Sequence, residues 1–158
     1  MTYQYLKVIH ILGVVLFFGA GLASATTKMR ADLTGDPRTI AFALRQIVWA
    51  DWLFTVPSAV ILPVTGLWMA HLLGIPWTRG WVGAGLSLYV FAGVCWLPAV
   101  FLQLKMKGAA EIALRDDTPL SEDYHRWTRW WLVLGAPAFV ASVGAIYIMV
   151  TKQVPFVG

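Results

Sequence analysis

Residues 5–25 read YLKVIHILGVVLFFGAGLASA, an apolar run long enough to cross a bilayer, with Lys7 and His10 in its first third. About 20 mostly apolar residues are needed to span the hydrocarbon layer. Taken as residues 5–27, this stretch is the first of four such segments, followed by 48–73, 81–104 and 130–150. The ASA at 23–25 imitates a signal-peptide cleavage site, but Lys28 and Arg30 follow at once and resist export. The stretch therefore reads as a first span. The expected fold is all-α, a four-transmembrane-helix antiparallel bundle forming a single integral membrane domain over residues 1–158.

Composition points the same way. Of 158 residues 59% are hydrophobic and 13% charged, where a soluble domain carries roughly 25% charged residues. One cysteine, Cys95, excludes an internal disulfide and any multi-cysteine metal site. Little soluble surface remains for a nucleic-acid interface, so no nucleic-acid partner is expected. No P-loop, dinucleotide fingerprint, HExxH or nucleophile–base pair is present, and the sequence leaves open whether the protein is an enzyme.

The links set topology and sidedness. GIPWTRG (74–80) is short enough to force an antiparallel hairpin, whereas KMRADLTGDPR (28–38) and KMKGAAEIALRDDTPLSEDYHR (105–126) are polar connections. The side with the two long connections holds nine Lys and Arg residues and the opposite side three, Lys7, Arg79 and Lys152. The positive-inside bias therefore predicts long connections in the cytoplasm and both termini outside, periplasmic if the membrane is a bacterial inner membrane. Asp36 and Pro37 make a good cap and first helical residue. A helix from there to Leu73 would be about 55 Å long against a core of ~30 Å, so the second helix should extend into the cytoplasm. Thr118 and Pro119 predict a similar start for the fourth.

His10 is the first candidate for chemistry. At ~100° per residue its direction is shared by Gly13, Phe17, Ala20, Gly21, Ser24 and Lys28, while Val8, Leu12, Val15 and Leu22 lie opposite. Small and polar residues mark the packed face of a membrane helix, so His10 should point into the bundle. It is then either a functional group or an imidazole hydrogen-bonded to a neighbouring helix. His71 falls in the same leaflet, and two facing imidazoles would suit a six-coordinate b-type haem. Beside Trp68 it also suits an interfacial role. Lys7 should snorkel outward, or meet an acidic ligand group such as a haem propionate. His125, among Arg126, Trp127, Arg129, Trp130 and Trp131, belongs to an interfacial belt.

The second candidate stretch is ADWLFTVPSAVILPVTG (50–66). Asp51 enters the membrane at its cytoplasmic edge, as a salt-bridge partner of basic residues or as a proton-relay carboxylate. Pro57 and Pro63 free the carbonyls of Leu53 and Ala59, which must find partners such as Thr55, Ser58, Thr65, water or a ligand. With Pro98 and Pro137, three helices carry proline and can bow apart around a cavity. Cys95 should be an inert mid-membrane thiol.

YLKVIHILGVVLFFGAGLASATTKMRA, ADWLFTVPSAVILPVTGLWMA, LYVFAGVCWLPAVFLQLKMK and APAFVASVGAIYIMV together resemble a bacterial family of predicted integral membrane proteins of unknown function. More distantly, LKVIHILGVVLFFGAGL is similar to the opening of HemJ-type protoporphyrinogen oxidases and CopD-type copper-resistance membrane domains. That resemblance implies His10 as a haem or metal ligand; the later helices lack the further HemJ-type polar residues, so nothing else transfers. The resulting expectation is a membrane protein holding haem b at His10, with His71 as a candidate second ligand. Its role would be redox, with quinone or another membrane redox protein as partner. The alternatives are a small channel, transporter or metal-handling protein, with Asp51 and His10 at opposite mouths and homo-oligomerisation, or a non-catalytic accessory subunit.

Overall fold

The computed structural model describes residues 1–153. Its helices are α1 (Thr2–Thr34), α2 (Pro37–Ala50), α3 (Val56–Leu72), α4 (Gly80–Asp116) and α5 (Glu122–Thr151), with no strand among the described residues. Asp51–Thr55 form a π-helical turn between α2 and α3. The run Pro37–Leu72 is thus one helix of 36 residues, about 54 Å long. Four helices are long and apolar enough to cross a membrane, as expected from the four hydrophobic segments.

Each helix starts and stops for a local reason. Asp36 caps α2 by accepting from the backbone N–H groups of Arg38 and Thr39, with Pro37 in the first turn. Gly35 takes the left-handed conformation (φ 64°) that ends α1 one residue earlier. The Thr39 hydroxyl, and then the two N–H groups, hold the Asp36 carboxyl below its ordinary range. A depressed folded-state pKa means that the cap contributes at neutral pH and is lost as pH falls through that lowered value. Thermal unfolding in detergent should show a small drop for Asp36→Ala at pH 7 that vanishes in acid; an equal difference at both pH values would deny the carboxylate its role.

Two boundaries differ from the sequence expectation. α5 begins at Glu122, not at Thr118–Pro119, because the Ser121 hydroxyl accepts from the Tyr124 N–H and acidic Glu122 and Asp123 fill the first turn. Most of the polar stretch after residue 104 is helix as well, since α4 runs on to Asp116 and ends in a left-handed Asp117.

The helices pack as two pairs, α1 with α3 and α4 with α5, and α2 joins them by packing on both α1 and α4. At this α2 end lies the best-packed region, where Ala31, Ile40, Ala41, Leu44, Met106, Ala110 and Tyr124 are all buried. Within the apolar windows only 11–22% of residues are buried, which leaves most of each helix surface to lipid. Val8, Leu12, Val15 and Leu22 of α1 are exposed, while Gly13, Ser24 and Lys28 are buried. That division follows the helical wheel drawn from the sequence except at Gly21, which is exposed.

Candidate functional site

His10 packs against α3. Its Nδ1 lies 2.8 Å from Thr65 Oγ1, and that hydroxyl donates to the Ile61 carbonyl at 2.6 Å. Nδ1–H is then the donor of the pair, and Nε2 keeps its lone pair. Glycines make the contact close: a Cβ on Gly66 would sit 3.2 Å from His10 Cε1, and one on Gly13 would meet Leu62 at 3.4 Å. His71 is exposed in the last turn of α3, so Thr65, not His71, faces His10. Lys7 is exposed, as is His125, whose ring meets Tyr124 edge-on.

Asp51 and Thr55 come together on the π-helical turn. Asp51, 8% exposed, accepts from Thr55 Oγ1 at 2.8 Å and from Gln103 Nε2 of α4 at 2.6 Å. Trp131 Nε1 of α5 in turn donates to Gln103 Oε1 at 3.2 Å. The salt-bridge reading of Asp51 does not hold: among the described residues no Lys, Arg or His pairs with it. Arg45 pairs with Glu111 and Lys28 with Asp32 instead.

The backbone at Asp51 is widened so that the Val56 N–H bonds to the Asp51 carbonyl. Pro57 follows directly, and a proline ring clashes with the carbonyl four residues back. A π-helical turn relieves that crowding, and such turns are frequent at functional sites. At Pro63 the expected free carbonyl, Ala59 O, is taken by the Tyr89 hydroxyl of α4, a partner the sequence reading missed. Two of the expected hydroxyl partners are committed within their own helix, Thr55 to Asp51 and Thr65 to Ile61.

Between the two helix pairs lies a cavity of about 370 Å³, within the ~300–1,000 Å³ typical of small-molecule sites. Asp51, Thr55, Gln103 and Tyr89 are its main polar lining, and Phe17, Phe18, Trp96, Trp131 and Phe139 contribute aromatic walls. Phe18 and Phe139 meet edge-to-face at 5.8 Å between α1 and α5. Among the described residues Asp51 is the lone charged one in the lining, and His10 is not part of it.

A second polar cluster ties α1 to α5 just beyond the cavity. Lys28, 1% exposed, donates to Asp32 Oδ2 at 2.5 Å and to Tyr124 Oη and Thr128 Oγ1 at 3.2 Å each. Tyr124 donates to Asp32 Oδ1 at 2.5 Å. The Lys28 ammonium also lies 5.7 Å from the centre of the Trp131 ring. Among the described residues no three His, Cys, Asp or Glu side chains converge as a metal set.

The fold and its buried intramembrane polar groups define a polytopic integral membrane protein with four spans. Residues 4–153 match the family model described as predicted integral membrane protein (DUF2269), and the chain belongs to that family. No curated protein and no solved structure matches it.

Proposed function

We propose that this protein binds a lipid-soluble small molecule inside its membrane-spanning bundle, at the Asp51 cavity, and acts as a small transporter or ligand-handling membrane protein. The observation that carries the reading is a buried carboxylate, held by two neutral donors, on the wall of a cavity between two proline-bearing helix pairs. Asp51 is buried and yet lines the cavity, which sets it apart from a carboxylate wholly enclosed by packing. The cavity ends short of His10, so a binding site is better supported than a continuous pore from Asp51 to His10. The count of nine basic residues against three supports an orientation with both termini on the outer side of a bacterial inner membrane.

Gly93 supplies the test. It lines the cavity, and a Cβ there would meet nothing within 4 Å, so Gly93→Phe is the variant chosen to occupy the site. A ligand of the native state raises its melting temperature. Lipid-soluble quinones, phenols and organic cations are to be screened by thermal unfolding in detergent. At least one should stabilise the wild type and lose that effect in Gly93→Phe. If no compound shows a Gly93-dependent shift, the reading fails.

A haem b at His10, with a redox role and a quinone partner, is a second reading. Its support is the Nδ1–Thr65 bond, which orients the ring and leaves Nε2 as the free ligand atom. Against it, α1 and α3 close on each other at Gly13 and Gly66, and His10 is not in the lining of the Asp51 cavity. The reading then requires Nε2 to be met from outside the α1–α3 contact, as between two copies. A Soret band in the purified protein that disappears in His10→Ala is the result it demands.

A further inference from the structure

The lining of the cavity is unbalanced in charge, and that imbalance identifies a class of ligand. It contains one carboxylate and no cation. The nearest buried ammonium, Lys28, is paired with Asp32 and stacked behind Trp131, outside the lining. A carboxylate has roughly four acceptor positions, and Asp51 spends two of them, on Thr55 and Gln103. An unneutralised carboxylate in a low-dielectric site attracts a cation far more strongly than it would in water. Six aromatic side chains, Phe17, Phe18, Tyr89, Trp96, Trp131 and Phe139, line it among small and aliphatic residues. Ring faces attract cations through their quadrupoles, and aromatic cages suit organic ammonium groups in particular.

A metal cation fits poorly, because it demands several oxygen ligands and the apolar walls supply few. A neutral molecule would use the walls but leave the carboxylate without a counter-charge. A bulky organic cation uses both. Resting on the ligand-binding reading above, we propose that the cavity takes a lipophilic organic cation, with Asp51 as its counter-ion and the aromatic side chains as its cage. Gln103 and Thr55 then fill two acceptor positions of the carboxylate and leave the others to the ligand.

Two probes of the same shape and opposite charge test this: tetraphenylphosphonium and tetraphenylborate, titrated against the intact protein in detergent and followed by tryptophan fluorescence. Tetraphenylphosphonium should bind the wild type at least about tenfold more tightly than tetraphenylborate. Both the binding and the preference should fall in Gly93→Phe, and the preference alone should collapse in Asp51→Asn. Equal binding of the two ions to the wild type overturns the proposal whether or not Asp51→Asn folds. So does an unchanged preference in Asp51→Asn. A neutral quinone or phenol that binds in a Gly93-dependent way while tetraphenylphosphonium does not would sink the cation class but leave the ligand-binding reading standing. Absence of Gly93-dependent binding by every probe, charged or neutral, removes both.

Discussion

Lys28→Met is expected to destabilise the folded protein by about 2–3 kcal/mol. Removing one partner of a buried ion pair costs roughly 3–5 kcal/mol, because the other charge is left without compensation. Here the figure is reduced, since Asp32 is a quarter exposed and keeps the Tyr124 hydroxyl as a donor. Methionine keeps most of the lysine stem's volume, so the loss reports on the ammonium and not on a cavity. That ammonium joins α1 to α5 through Tyr124 and Thr128, two helices that also meet at Phe18 and Phe139. Adding Asp32→Asn to Lys28→Met should recover part of the loss, because the uncompensated charge is then gone. Unfolding by denaturing detergent in mixed micelles, followed by tryptophan fluorescence, reads the three stabilities. A single-variant cost below about 0.5 kcal/mol would make the pair equivalent to an exposed surface ion pair.

How far this could be read from the sequence varies from residue to residue. Spans, the α2 cap and the inward face of α1 follow from hydropathy, capping chemistry and a 100° rotation, all of them local. The same rotation put Lys28 on the face of His10 but could not supply its partners, because Tyr124 and Thr128 lie about a hundred positions away. Gln103 left a trace that went unused. Ala92, Ala99, Met106 and Ala113 recur every seven residues, and Gln103 and Ala110 fall between them at the complementary positions. Such spacing marks the packed seam of a helix, and a glutamine on a seam within lipid needs a partner. That the partner is Asp51 depends on how α4 sits against the α2–α3 helix, which no local pattern specifies. A cavity lies between the proline-bearing helices, but its lining is not written in the prolines. Tyr89, the residue that satisfies the carbonyl freed by Pro63, lies on a different helix pair.

Gln103→Leu is the second large effect expected, and it bears on function as well as stability. Hydrogen bonds between membrane helices average only about 0.6 kcal/mol, because the unfolded chain in lipid also finds partners. Two such bonds, to Asp51 and from Trp131, would then account for little more than 1 kcal/mol. Asp51 raises the figure, since a buried carboxylate that loses a donor incurs a desolvation cost of about 1–3 kcal/mol beyond the bond itself. A total of about 2–3 kcal/mol follows, measured by the same detergent unfolding. Asp51→Leu combined with Gln103→Leu should be less unstable than the sum of the two single variants, because the leucine pair leaves no carboxylate to solvate. The non-additivity of that cycle is the direct measure of the interaction. A carboxylate stripped of its amide donor also has more to gain from an external cation. Tetraphenylphosphonium should therefore raise the stability of Gln103→Leu by more than it raises that of the wild type. A neutral quinone should show no such difference. An additive cycle would mean that Gln103 and Asp51 are neighbours without being energetically coupled, and that the carboxylate is solvated by something other than α4.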